Sequence, residues 1–300
     1  MRVIFMGTPD FAVPSLEALC KEHEVVLVVT QPDKPKGRGK KMQFSPVKEC
    51  AIAHNIPVLQ PQKVRDAEFI EQLRTYAPDC IAVTAFGQIL SEPILEMPKY
   101  GCINVHGSLL PQYRGAAPMQ WAIINGESVT GITTMFMAKG LDSGDMLLKE
   151  EVPITPQDTF ATIHDKMASV GANLLIETLK GLEAGTLQRI SQNHEAATYA
   201  PMITKETGHI DWSKPAQEII HLIRGLDPVP AAYTIYENEV LKIFDAELTD
   251  MGAEAPCGSI AAVTKKGFVV RCGEGSLLIL QVQAKGGKRM SADAYLRGHE

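Results

Sequence analysis

Short apolar runs alternate with helix-like stretches through the first half of the chain. The runs are rich in β-branched residues, as buried strands are, and cover residues 3–6, 25–29, 79–84, 102–105 and 131–137. Between them, helices are predicted near residues 11–19, 46–54 and 66–76. Ser45 and Pro46 supply an N-cap and a first helical residue for the second of these. Short buried strands separated by helices indicate a mainly parallel α/β sheet.

The pattern changes in the second half of the chain. Apolar residues at helical spacing predict one long helix over residues 158–182, and residues 186–205 lack periodicity and are interpreted as a linker. A short helix near 216–224 precedes five short β-rich runs, which favour a small barrel or sandwich. We therefore predict a first domain over residues 1–185 and a second domain over residues 206–300.

Composition narrows the classes of partner. The 300 residues carry a net charge of −6, so an RNA partner would have to be held by local basic patches. The six cysteines are scattered without a C-x-x-C pair, which argues against a zinc or redox motif and for reduced thiols. No run approaches the roughly 18 apolar residues of a membrane span, and the first residues lack signal-peptide features. We expect a cytoplasmic protein, with a monomer as the default state.

Candidate chemistry lies at the end of the run over residues 102–105. Strand alternation puts Asn104 and His106 on one face, where an amide and an imidazole converge at the ligand end of the sheet. Asp142, in the turn Leu141-Asp142-Ser143-Gly144-Asp145, could bring a carboxylate beside the histidine. Three plainer interpretations stay open: backbone satisfaction by Asn104 and His106, a turn role for Asp142, and a thin metal ligand set. The absence of G-x-G-x-x-G after the first strand argues against NAD binding.

Several motifs resemble those of the 10-formyltetrahydrofolate-dependent formyltransferases. They are Asn104, His106, Ser108-Leu109-Leu110-Pro111, Tyr113-Arg114-Gly115-Ala116-Ala117-Pro118, Leu141–Asp145 and Ala85-Phe86-Gly87-Gln88-Ile89. The resemblance implies a Rossmann-like sheet with helices on both faces and an OB-like C-terminal barrel. It also implies that Asn104, His106 and Asp142 are catalytic, and that no metal is needed. The folate co-substrate, 10-formyltetrahydrofolate, would lie along Ser108–Pro111 and the Ala85–Ile89 loop.

A basic segment favours an RNA acceptor. Lys34, Lys36, Arg38, Lys40 and Lys41 fall within eight residues that hold no acid, and glycines and proline predict a flexible loop. A solvated surface loop explains the charge equally well. The segment is similar to an inserted loop in the family members that act on methionyl-tRNA, where it reaches the acceptor stem. This similarity implies that initiator methionyl-tRNA is the partner.

Two further features bear on the acceptor. Residues 265–299 contain seven Lys or Arg and two Asp or Glu, so the second domain is locally basic in an acidic chain, although ordinary solvated lysines are the alternative. The resemblance makes Phe11 a wall of the methionine pocket, with a plain core role as the alternative. Three rival functions remain: a formyltransferase for another amine such as an amino sugar nucleotide, a 10-formyltetrahydrofolate hydrolase, and a non-catalytic RNA-binding protein on the same fold.

Overall fold

The computed structural model describes residues 1–36 and 41–298 and divides the chain into two compact units. The first unit is assembled from three stretches of chain, Met1–Gly115, Thr130–Val152 and His164–Tyr199. The second is assembled from Ala116–Val129, Pro153–Ile163 and Ala200–Glu300. Each unit therefore draws on segments that are distant in sequence.

A seven-stranded sheet carries the first unit, in the order β10-β9-β7-β6-β1-β2-β5. Its strands are β1 (Arg2–Gly7), β2 (Glu24–Val29), β5 (Val58–Leu59), β6 (Cys80–Thr84), β7 (Cys102–His106), β9 (Val129–Phe136) and β10 (Met146–Pro153). The pairs among β1, β2, β5, β6 and β7 are parallel, and β9 runs antiparallel to β7. The prediction of a mainly parallel sheet is confirmed.

Helices separate the strands where the sequence carries start signals or a narrow apolar face. They are α1 (Val13–Glu22), α2 (Pro46–Ala53), α3 (Ala67–Thr75), α4 (Glu92–Leu95), α5 (Pro118–Ile124) and α6 (Phe160–Ala184). The Ser45 hydroxyl caps α2 by accepting a hydrogen bond from the Lys48 amide at 3.1 Å. α3 buries Phe69, Ile70 and Leu73 in the core. An apolar face of this kind supplies most of the stability of a short helix.

The parallel strands place their following loops at one edge of the sheet. Gly7 at the end of β1 is in register with Thr84 at the end of β6, and Val83 is in register with Asn104 of β7. The loops after these strands therefore meet at the carboxyl edge, where ligands of open α/β sheets bind.

The basic segment begins and ends in regular structure. β3 (Lys34–Lys36) and β4 (Lys41–Gln43) form an antiparallel ribbon that pairs Lys34 with Gln43. The prediction of an irregular loop is therefore wrong for these two ends, because backbone pairing overrides the weak strand propensity of Lys and Pro. Arg38 and Lys40, together with the side chains of Lys36 and Lys41, lie outside the described part of the chain, and their contact with RNA stays a prediction.

The second unit contains an antiparallel sheet in the order β12-β13-β16-β15-β14, with β17 paired to β16. The strands are β12 (Ala232–Tyr236), β13 (Glu239–Thr249), β14 (Ile260–Val263), β15 (Phe268–Arg271), β16 (Ser276–Ala284) and β17 (Met290–Ser291). The core of this unit also takes residues from α7 (Ala216–Leu226) and α8 (Ala292–Leu296). The predicted series of short strands is confirmed. Within the described ranges, no helix combines the length and the apolar character that crossing a bilayer requires.

Candidate active site

His106 stands between two oxygen acceptors at the carboxyl end of β7. Its ring is 6% exposed, Nε2 lies 3.0 Å from the carbonyl oxygen of Tyr113, and Nδ1 lies 3.7 Å from Oδ2 of Asp142. The Nδ1 distance is that of an ion pair rather than of a hydrogen bond. Both ring nitrogens therefore face oxygen atoms, so a proton on either nitrogen has an acceptor nearby.

Asp142 reaches His106 by a reversal of the chain. β9 is antiparallel to β7, so that Phe136 at its end is in register with Ile103, away from the carboxyl edge. The loop that follows then brings Oδ2 of Asp142 to the backbone N–H of Gly115, which donates to it at 2.8 Å. The carboxylate is thus anchored by a backbone donor while it faces the imidazole.

Asn104 lies two residues before His106, so alternation along β7 directs both side chains to the same face. Asn104 is half-buried, and its side-chain amide has no hydrogen-bond partner among the residues that the structure describes. The amide is therefore available to donate to a bound carbonyl group.

Left-handed backbone conformations surround these groups. Ala85, Tyr113 and Asp142 have φ values of 47°, 58° and 44°. Non-glycine residues adopt such values at a cost of about 1–3 kcal/mol each and are enriched at functional sites. At Tyr113 and Asp142 the unusual backbone directs one oxygen each toward His106.

The segment Ser108–Pro111 is held by a buried hydroxyl. Oγ1 of Thr133 donates to the carbonyl of Ser108 at 2.7 Å and accepts from the amide of Leu110 at 3.1 Å. Ser108 and Leu110 are fully buried, whereas Leu109 and Pro111 are half-buried. A ligand can therefore meet Leu109, Pro111 and the backbone of this segment more readily than the other two side chains.

The loop Ala85–Ile89 offers a second wall at the same edge. Phe86 is buried, and its carbonyl accepts from Oγ1 of Thr8 at 3.1 Å and from Nε2 of Gln31 at 3.2 Å. Gln88 is used internally, since its Oε1 accepts from the amide of Val64 at 2.8 Å. Ala85, Gly87 and Ile89 are exposed, and Ile89 is 85% accessible.

A polar cluster fixes the base of the basic ribbon, and sequence reasoning did not find it. Nζ of Lys48 donates to Oδ2 of Asp33 at 2.5 Å and to Oε1 of Gln60 at 2.8 Å. Nε2 of Gln60 donates in turn to Oδ1 of Asp33 and to the carbonyl of Gln31. The hydrogen bonds from Lys48 and Gln60 hold the pKa of the Asp33 carboxyl below its usual range. Lys34 is exposed on β3 beside this cluster.

Phe11 follows β1 and is 6% exposed. Its ring lies 5.4 Å from the ring of His164 on α6, and Nε2 of His164 lies 3.4 Å from Oδ1 of Asp10. The sequence did not single out His164, because its contacts with Phe11 and Asp10 depend on how α6 packs and not on a local motif.

Two buried polar side chains support the turn that carries Asp142. Gln192 is 6% exposed, and its Nε2 donates to the carbonyls of Asp142 and Gly144 at 2.8 Å each. Its Oε1 accepts from Nε and Nη2 of Arg114 at 3.1 and 2.6 Å. Gln192 belongs to the aperiodic segment 186–205, so no periodicity could have marked it.

The cations of residues 265–298 divide into paired and unpaired groups. Lys285, Arg289 and Arg297 form ion pairs with Glu239, Asp227 and Asp293. Lys265, Lys266 and Lys288 are exposed and have no carboxylate partner within the described part of the chain. These three lysines lie in the turns between β14 and β15 and between β16 and β17. Across residues 1–36 and 41–298, no three His, Cys, Asp or Glu side chains are grouped to hold a metal ion.

Most of the chain matches two protein families. Residues 1–179 match Formyl transferase, and residues 202–300 match Formyl transferase, C-terminal domain. A protein of Agathobacter rectalis named methionyl-tRNA formyltransferase is 54% identical over 299 residues, which cover 99% of this chain and 96% of that protein. A protein of the same name from Caldanaerobacter subterraneus subsp. tengcongensis is 54% identical over 301 residues, which cover 100% of this chain and 97% of that protein.

Solved structures share the fold at lower identity. HypX from Aquifex aeolicus in complex with tetrahydrofolic acid has a TM-score of 0.67 and 17% identity, with 99% of this chain and 47% of that chain covered. An N-formyltransferase from Helicobacter canadensis, in complex with folinic acid and dTDP-3-aminofucose, has a TM-score of 0.67 and 20% identity, with 95% and 100% covered.

Proposed function

This chain belongs to the Formyl transferase family, and we propose that it transfers the formyl group of 10-formyltetrahydrofolate to the amino group of methionyl-tRNA. It is an enzyme of group transfer whose relatives named methionyl-tRNA formyltransferase match it over nearly their full length. The observation that carries the proposed chemistry is His106 between Tyr113 O and Asp142 Oδ2, with the amide of Asn104 on the same strand face. The acceptor is initiator methionyl-tRNA, so the product serves translation initiation in the cytoplasm.

Asn104 and His106 stabilise the charge that develops during transfer. When the unprotonated amine attacks the formyl carbon, negative charge builds on the formyl oxygen. Placed donors stabilise such an oxyanion better than mobile water does. Asn104 supplies an N–H from its free amide, and a ring N–H of His106 supplies a second donor by exchanging one of its protein contacts for the substrate.

The reaction needs one proton to move from the amine to the folate nitrogen. The bond from the amine nitrogen to the formyl carbon forms, and the bond from that carbon to N10 of the folate breaks. The amine loses one proton and N10 gains one, so the products are the formamide and tetrahydrofolate. His106 is suited to carry protons, and Asp142 keeps its ring oriented and can receive the amine proton through a water molecule.

The folate co-substrate lies along Ser108–Pro111 and the Ala85–Ile89 loop in this proposal. The half-buried Leu109 and Pro111 and the exposed Ile89 offer apolar surface to the planar pterin ring, and the backbone of both segments offers hydrogen-bonding groups. The internal hydrogen bonds of Thr133 and Gln88 keep both segments in place before folate binds.

The RNA is held by cations of both units. Lys34, Lys36, Arg38, Lys40 and Lys41 contact phosphates of the acceptor stem, and Phe11 meets the methionine side chain. Lys265, Lys266 and Lys288 supply further phosphate contacts from the turns of the second unit. Each contact releases counterions, so binding weakens as salt concentration rises.

One assay separates the proposal from its rivals. The protein is incubated with 10-formyltetrahydrofolate labelled in the formyl group and either charged initiator tRNA, an amino sugar nucleotide, or no acceptor. Labelled N-formylmethionine in the RNA fraction alone supports the proposal. Labelled amino sugar indicates a different acceptor, and free formate in every reaction indicates a hydrolase. Absence of any released or transferred label, with RNA still bound, indicates a non-catalytic RNA-binding protein.

A further inference from the structure

The Asp142 turn, residues 141–145, is held by the side chain of Gln192, which the mechanism does not use. The Gln192 amide donates two hydrogen bonds to backbone carbonyls of this turn, one of them to the carbonyl of Asp142 itself. Both N–H groups of the Gln192 amide thus bind the same short segment, in which Asp142 has a left-handed backbone. Without these donors, the buried carbonyl of Gly144 and the partly buried carbonyl of Asp142 would lose their partners, which destabilises the turn.

Arg114 fixes the orientation of this amide. Its guanidinium is 3% exposed and donates twice to Oε1 of Gln192, and its Nη2 lies 3.0 Å from Nδ1 of His194. Because Arg114 can only donate, it forces the oxygen of Gln192 toward itself and the N–H groups toward the turn. The neighbours of Arg114 in the chain are Tyr113 and Gly115, the residues that contact His106 and Asp142.

We infer that Gln192 is a positioning residue that holds the Asp142 carboxylate against His106, with Arg114 as its anchor. The chain of contacts runs from Arg114 to the Gln192 oxygen, from the Gln192 nitrogen to the Asp142 carbonyl, and from the Asp142 carboxylate to Nδ1 of His106. Displacement of a catalytic group by about 1 Å can slow a reaction by roughly 100-fold. This inference rests on the proposed formyl transfer.

Two substitutions separate positioning from folding. Gln192→Leu removes all four hydrogen bonds, whereas Gln192→Glu keeps an acceptor for Arg114 and replaces the two donors to the turn by a carboxylate oxygen that repels the same two carbonyls. We expect kcat to fall by roughly 10- to 100-fold in both variants, with KM for both substrates within about twofold of wild type. Gln192→Glu is expected to fold normally, because its carboxylate pairs with Arg114.

A double-mutant cycle supplies the decisive readout. In an Asp142→Asn background no carboxylate remains to be placed, so Gln192→Leu should lower kcat by less than about twofold further. Thr178→Val is the matched control: it removes a buried hydroxyl whose partners, the carbonyl of Leu174 and Oγ1 of Thr134 at 2.7 Å each, lie outside the Asp142 turn, and it should lower the melting temperature without lowering kcat.

The outcomes are distinct. Losses in kcat that vanish in the Asp142→Asn background support the inference. A Gln192→Glu protein with wild-type kcat, or a full additional loss in the Asp142→Asn background, overturns it. A wild-type protein that makes no N-formylmethionine in the same assay overturns the proposed function instead.

Discussion

At the scale of single residues, the site depends on which atoms are left free. The ring of His106 faces oxygen atoms of Tyr113 and Asp142, whereas the amide of Asn104 has no partner within the described residues. A half-buried amide without a protein partner can exchange its water for a ligand. The proposed mechanism therefore gives Asn104 the oxyanion contact.

Replacing Asn104 by leucine tests that assignment. Asn104→Leu keeps the size of the side chain but removes its N–H groups, so kcat should fall by roughly 100- to 1,000-fold while KM for folate and tRNA changes little. Steady-state kinetics with each substrate varied in turn measures both quantities. A kcat within twofold of wild type would show that the amide does not meet the reacting oxygen.

The sequence predicted part of this residue-level geometry. Strand alternation is a local property, so the common face of Asn104 and His106 follows from two positions in one strand. The approach of Asp142 requires the antiparallel direction of β9 and a chain reversal, neither of which a turn motif encodes. The role of Gln192 could not be predicted from the sequence, because it depends on contacts with Arg114 and the Asp142 turn, which are far away along the chain.

At the scale of elements, a lysine beside the basic ribbon is not necessarily available for a phosphate contact. Lys48 lies close to the basic ribbon, but its ammonium donates hydrogen bonds to Asp33 and Gln60. Lys34, in contrast, is exposed. The two lysines should therefore affect binding in different ways.

The salt dependence of tRNA binding distinguishes them. Lys34→Met should lower the slope of log affinity against log salt by roughly 0.7–0.9, the value of one lost phosphate contact. The neutral replacement Asp33→Asn/Lys48→Met should weaken binding by the same factor at every salt concentration, because it loosens the ribbon without removing net charge. Equal slope changes in the two proteins would contradict the structural role of Lys48.

The turn between β12 and β13 stores conformational strain. Two residues connect Tyr236 to Glu239, and both have positive φ, 49° at Glu237 and 65° at Asn238. Asparagine adopts this conformation readily, whereas glutamate adopts it only at a cost in free energy. Glu237→Gly should stabilise the protein by about 0.5–1 kcal/mol, the left-handed penalty less the entropy lost by glycine. Urea unfolding measures the change, and Glu237→Ala, which removes the same charge but keeps a Cβ, should bring no gain.

Elements with clear periodicity were predictable, and those set by pairing were not. α6 and the short strands of the second unit follow from their apolar spacing. β10 escaped prediction because Lys149, Glu150 and Glu151 are consecutive charged residues within a strand. The ribbon of β3 and β4 is likewise held by backbone pairing rather than by an apolar pattern.

At the scale of the whole molecule, an acidic protein binds a polyanion through local cations. The net charge is −6, and ion pairs neutralise three of the cations near the C-terminus. Lys265 and Lys266 remain exposed in one turn of the second unit. The proposed RNA binding therefore depends on local potential rather than on net charge.

Charge reversal at these lysines should raise KM for methionyl-tRNA and leave kcat at saturating tRNA unchanged. Lys265→Glu/Lys266→Glu should raise KM by roughly 10-fold or more at low salt, since each lost phosphate contact weakens binding. Lys99→Glu/Lys21→Glu alters net charge equally at exposed positions of the first unit and serves as the control. An equal rise in KM in both proteins would assign the effect to net charge alone.

In the proposed mechanism, His106, between Tyr113 and Asp142, promotes formyl transfer to methionyl-tRNA. The most direct test measures single-turnover formylation and tRNA affinity together in wild type and His106→Ala. We expect a rate loss of roughly 100- to 10,000-fold with tRNA affinity nearly unchanged. A His106→Ala protein that forms N-formylmethionyl-tRNA at the wild-type rate would contradict it.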